Sequence, residues 1–173
     1  MESLVAEPIS NPSIAEASAT VQKLLAYCKA SDWAGYDPYD ALNSRAFKAL
    51  KILDFRVPRL LLIQALKRSP LNVRRLLGVP KTQNAKAIAL FLSSFLKLPK
   101  AELANREDLI GVMVDRLITL RSIGTQYWCW GYSFPWQTRT VVVPVATPNL
   151  VCTTFVASAL LDCYEQDGDV QCL

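Results

Sequence analysis

Residues 103–123 read LANREDLIGVMVDRLITLRSI. Leu109, Val112, Met113, Arg116, Leu117 and Leu120 recur at three- and four-residue steps, and Gly124 follows the run. That period predicts an α-helix with one buried face, stopped where glycine can adopt a left-handed turn. On the N-terminal side, residues 84–96 form a second, more apolar run between Pro80 and Pro99. On the C-terminal side, residues 149–165 predict a last helix, and only Val141-Val142-Val143 has the look of a strand.

Earlier in the chain, Ser13-x-x-Glu16 has the form of a capping box, and Val21, Leu24, Leu25 and Cys28 continue it as a helix stopping near Ser31. Helical spacing resumes from about Ala41 to Phe55, and restarts at Pro58 up to Lys67. Ser69-Pro70 predicts a further short helix over 71–77, ended by Gly78. The expected fold class is therefore all-α, with about seven helices in antiparallel hairpins and little or no strand. Residues 1–11 are expected to be a loose arm, and residues 12–173 a single helical domain. The last residues, from Gln166 on, begin a new turn and stop.

Composition narrows the chemistry. The 173 residues contain no histidine, which excludes Ser-His-Asp and Cys-His catalysis and His-ligated zinc within this chain. Cys28, Cys129, Cys152, Cys163 and Cys172 are odd in number and show no C-x-x-C spacing. That pattern suits neither a disulfide framework nor a metal knuckle, so no metal and no cofactor are expected, and a reducing compartment is. No Gly-rich phosphate loop occurs. The N-terminus is acidic and lacks the order of a signal peptide. The uncharged run 140–161 is broken by Pro144, Pro148 and Asn149, so no transmembrane segment is expected and the chain is placed in the cytoplasm.

Charge is segregated. Residues 45–106 hold fourteen Lys and Arg against Asp54 and Glu102, whereas the rest holds five bases against thirteen acids. Interleaving with Leu, Ile and Ala reads as solvated helix faces. No nucleic-acid fingerprint accompanies the bases, and a protein partner on this basic face is the alternative use.

The aromatic residues are segregated too. Nine of the sixteen fall within 33–39 and 127–136, and all four tryptophans are among them. Asp32, Asp37, Asp40 and Arg139 lie in or beside the same loops. Aromatic faces stack on the C–H faces of sugars while carboxylates accept their hydroxyls. Trp33, Tyr36, Tyr39, Trp128, Trp130, Tyr132 and Trp136 are thus candidate ligand-binding residues, with Arg139 as a clamp. Asp37 and Asp40 are the candidate catalytic carboxylates, because glycoside hydrolysis uses such a pair. Two other uses of the same residues stay open: an apolar plug at the end of a helical barrel, and a protein-contact surface.

Four segments carry a family resemblance: Asp32-Trp-Ala-Gly-Tyr-Asp-Pro-Tyr-Asp40, Lys67-Arg-Ser-Pro-Leu-Asn-Val-Arg74, Trp130-Gly-Tyr-Ser-Phe-Pro-Trp-Gln137 and Pro148-Asn-Leu-Val-Cys-Thr-Thr-Phe155. In this order they resemble a bacterial VpsJ-type family associated with exopolysaccharide biosynthesis, over about residues 14–173. The resemblance implies an α/α toroid related to six-hairpin glycosidases and terpenoid cyclases, and a carbohydrate or glycan intermediate as ligand. A closed toroid needs about a dozen helices. The chain supplies about half of one, so the expectation is an N-terminal portion that binds or processes glycan through an aromatic cleft. The alternative is a non-catalytic helical scaffold.

Overall fold

The computed structural model describes residues 13–103 and 105–167. The expected arm at 1–11, Cys172 and the expected turn at the C-terminal end, from Gly168 on, lie outside the described residues. The described residues are predominantly helical: six α-helices, three short 3-10 helices and one two-stranded hairpin. The chain divides after Trp33 into two compact units.

The first unit is essentially α1, Ile14–Ala30. The expected capping box closes it: Ser13 Oγ accepts from Glu16 N–H at 3.3 Å, and Glu16 Oε2 accepts from Ser13 N–H at 2.8 Å. At the other end Ser31 N–H donates to Tyr27 and Cys28 carbonyls, and Trp33 N–H returns to Cys28 O at 2.8 Å. Asp32 and Trp33 take φ of 51° and 58°, the left-handed conformation that reverses a chain after a helix.

The second unit holds α2 (Arg45–Ala49), α3 (Arg56–Arg68), α4 (Ala85–Lys97), α5 (Arg106–Thr119) and α6 (Leu150–Asp167). Helix α4 is its centre, packing on both α5 and α6. The stripe Ala85, Ile88, Ala89, Leu92, Phe95 and Leu96 is buried along it, as the 3.6-residue period requires. Met113 and Leu117 of α5 and Cys152, Val156 and Ala159 of α6 meet that stripe with no exposed surface. Each large side chain buried in this way contributes about 1.5–3 kcal/mol. A buried arginine fastens the helix ends: Arg106 donates through Nε to Phe95 O at 2.9 Å and through Nη2 to Leu96 O at 3.1 Å. These are terminal carbonyls of α4, which lack an intrahelical partner.

A second core joins Ile63 and Leu66 of α3 to Ala41, Leu42 and Val79, with Tyr36, Phe47 and Val142 packed around it. The hairpin of β1 (Trp136–Gln137) and β2 (Val142–Val143) pairs Trp136 with Val143 and Gln137 with Val142. Two of the three expected valines thus form strand, which ends before Pro144.

Three expected helices differ. The run 41–55 is broken into a 3-10 turn at Asp40–Asn43, α2, and a second 3-10 turn at Lys51–Leu53. Ser44 causes the first break: its Oγ caps α2 by accepting from Phe47 N–H while donating to Leu77 O at 2.8 Å. Residues 71–77 form turns rather than a helix, because Ser69 Oγ and Asn72 Oδ1 accept from Leu71 and Arg74 N–H. Such short polar side chains offer the backbone a local alternative to the helix. Helix α5 is shorter than 103–123: Asn105 stands at φ 59° before it, and after it Ser122 N–H donates to Cys129 O at 2.8 Å. No helix among the described residues is long and apolar enough to cross a membrane.

Candidate functional site

Two helix starts, one polar loop and the aromatic segment converge in the second unit on a cleft of about 590 Å3. Tyr39, Tyr132, Phe134 and Trp136 form its aromatic walls, and Asp37, Lys86, Asn84, Asn149, Gln64 and Gln137 supply polar groups. Asn84 and Asn149 are there because each caps a helix. Asn84 Oδ1 accepts from Lys86 N–H at 3.1 Å and Asn149 Oδ1 from Cys152 N–H at 3.1 Å. Capping engages the amide oxygen and leaves the NH2 group to donate.

The rings hold one another. Tyr132 stacks on Phe134 with centroids 5.5 Å apart and meets Trp136 edge-on at 6.4 Å. Tyr39 is fixed from outside, where Lys67 Nζ donates to its hydroxyl at 2.6 Å. Gly131 lets the segment pass beneath residues 146–147: a Cβ at that position would collide with Thr147 O.

Asp37 is held by its own loop. Its Oδ1 accepts from Tyr39 N–H at 2.9 Å, and its N–H donates to Asp40 Oδ2 at 3.0 Å. Burial pushes the Asp37 carboxyl above its ordinary range, opposed by the Tyr39 hydrogen bond and reinforced by the charge of Asp40. Burial also raises the Tyr132 phenol, with the nearby Cys152 and Asp37 adding to it. Among the described residues, Asp37 is the one carboxylate in the cleft lining.

Of the other sequence candidates, Asp40 is buried and committed: Arg74 Nε donates to its Oδ1 at 2.9 Å while Arg74 Nη2 donates to Asp37 O. It supports the loop and does not line the cleft, so the two aspartates form no facing pair across it. Trp130 is 3% exposed and donates through Nε1 to Leu117 O at 2.7 Å, placing it in the core against α5. Trp128 is 48% exposed beneath the Arg121 guanidinium, 4.8 Å from its ring centroid. Tyr36 is half-buried against the second core. Arg139 is exposed in the turn between β1 and β2. Trp33 is buried and belongs to the first unit.

The aromatic segment therefore divides its labour between core, wall and surface. Sequence reasoning missed Lys86, Asn84, Asn149, Gln64, Gln137 and the loop-holding Arg74. Only the asparagines carried a signal, as capping residues directly before apolar runs. Among the described residues no three Cys, Asp or Glu side chains gather into a metal site. Comparison with protein-family models, with curated proteins and with solved structures found no match to this chain.

Proposed function

We propose that the protein binds a carbohydrate in the cleft walled by Tyr39, Tyr132 and Trp136, as a toroid-type helical component of exopolysaccharide biosynthesis. The observation that carries this reading is the lining itself: three amphipathic rings and Asp37, with the side-chain amides of Gln64, Asn84 and Asn149, around one opening. Sugars need both kinds of group, apolar faces for their C–H surfaces and dense hydrogen-bonding partners for their hydroxyls. The four sequence segments that resemble the VpsJ-type family point to the same ligand class. Binding fits the lining better than hydrolysis, since the two-carboxylate mechanism needs a second acid facing the sugar.

A glycan array followed by calorimetric titration tests the reading. A bound oligosaccharide is expected to lose roughly tenfold or more in affinity on Trp136→Ala, from the lost stacking area. An array without a hit, or a Trp136→Ala variant that binds as tightly as the parent, overturns it. A scaffold role has one observation in its favour: Ile52, Val57 and Leu61 are 83%, 58% and 65% exposed beside Lys51 and Arg56. Co-purification of a protein that Ile52→Glu abolishes would support that second reading.

A further inference from the structure

Helix α3 borders both the aromatic cleft and a second cavity. Leu60, Ile63 and Gln64 line the first, whereas Arg59 lines a space of about 390 Å3 with Lys48, Lys51, Asp54, Phe47 and Pro135. The two spaces share a strut, because Arg59 Nη1 donates to Gln137 Oε1 at 2.9 Å and Gln137 lines the aromatic cleft.

The second cavity is cationic and partly fixed. Arg59 Nε donates to Asp54 Oδ1 at 2.8 Å and Nη2 to Asp54 O at 2.7 Å. Three of its five N–H groups are thereby used and two remain. Lys48 Nζ donates to Asn43 Oδ1 at 3.3 Å, and Asn43 Nδ2 in turn donates to Ser133 O, which ties the lysine to the aromatic segment. Lys51 Nζ has no partner among the described residues. Against three cations stands the single carboxylate of Asp54, so the cavity holds an excess of positive charge with unused donors.

Building on the carbohydrate reading of the aromatic cleft, we propose that this second cavity receives the acidic group of the same glycan. The ligand class is then an acidic oligosaccharide. Its neutral rings stack on Tyr39, Tyr132 and Trp136, and a carboxylate or sulfate on a neighbouring unit meets Lys48, Lys51 and Arg59. Charge-assisted hydrogen bonds of this kind are stronger than neutral ones and select for anionic oxygen.

The test is calorimetric titration of the full chain with size-matched oligomers, one of uronic acid, one sulfated and one neutral. The parent, a Lys48→Gln/Lys51→Gln double variant and Trp136→Ala are compared, with amide shifts recorded by NMR. The double variant is expected to lose roughly tenfold for an acidic oligomer and to keep its affinity for the neutral one. Trp136→Ala is expected to weaken both. The two acidic arms show whether carboxylate or sulfate is preferred. Equal losses for acidic and neutral oligomers in the double variant would overturn the proposal. So would shifts confined to the aromatic cleft, or acidic binding indifferent to Trp136→Ala, while neutral binding would leave the carbohydrate reading standing. An absence of binding by all three oligomers would remove that reading, and this proposal with it.

Discussion

At Asp37 burial and ligand chemistry pull in opposite directions. Burial favours the neutral carboxyl, yet an ionised carboxylate is the better acceptor for sugar hydroxyls. Because its pKa is raised in the folded chain, the group stabilises the fold fully below the unfolded-state value. That contribution is lost as pH climbs through the raised one. Above about pH 4, the ordinary carboxylate value, the denaturant midpoint should fall with rising pH, and Asp37→Asn should flatten that trend. Over the same window, calorimetry of a bound neutral oligosaccharide should show affinity rising with pH in the parent and not in Asp37→Asn. Asp40 answers to a different physics. Its side chain is 3% exposed and paired with Arg74 at 2.9 Å. Asp40→Ala leaves the Arg74 guanidinium without its carboxylate partner and is expected to cost about 3–5 kcal/mol in urea unfolding. Equal stability of the variant would show that the pair is dispensable.

At the scale of elements, helix starts do two jobs. Asn149 caps α6 with its oxygen and presents its amide to the cleft. Asn149→Ala should lower stability by about 1 kcal/mol and weaken ligand binding together. Asn149→Asp retains the capping acceptor and removes the donor, so it should hold the thermal midpoint while binding still falls. Matching losses of stability in both variants would remove the distinction. Gly131 illustrates a different constraint: a methyl group there would meet Thr147 O, a backbone atom that cannot swing aside. Gly131→Ala is expected to displace the 130–136 segment, read out as lost near-ultraviolet signal from its aromatic residues. Helix existence was legible wherever one apolar stripe ran for three turns, as in α4, α5 and α6. It was not legible at 41–55, where the Ser44 hydroxyl donates to Leu77 O, remote in sequence, or at 71–77, where Ser69 and Asn72 accept from backbone N–H groups two residues on.

On the scale of the whole molecule, both cores of the second unit and every residue of the two cavities lie beyond Trp33. A chain beginning at Ala34 is therefore expected to keep the helices α2 to α6 and the ligand affinity of the cleft. Circular dichroism and titration check this, and a shortened chain that neither folds nor binds would refute it. Helix α1 draws on its own local signals, the Ser13–Glu16 box and the Cys28 carbonyl, which close its two ends without help from distant sequence.

The sequence by itself determined the helical class, the cap at Ser13, and the gathering of aromatic residues into two loops. These follow from periodicity and from side chains acting on backbone a few residues away. Only the tertiary structure decided which rings face solvent, core or cleft. Trp130 turns inward because the Leu117 carbonyl on α5 accepts its N–H, and Asp40 is engaged because Arg74 reaches it from 34 residues away. Both choices are made by partners that no local pattern can name, since they meet only after the helices have packed.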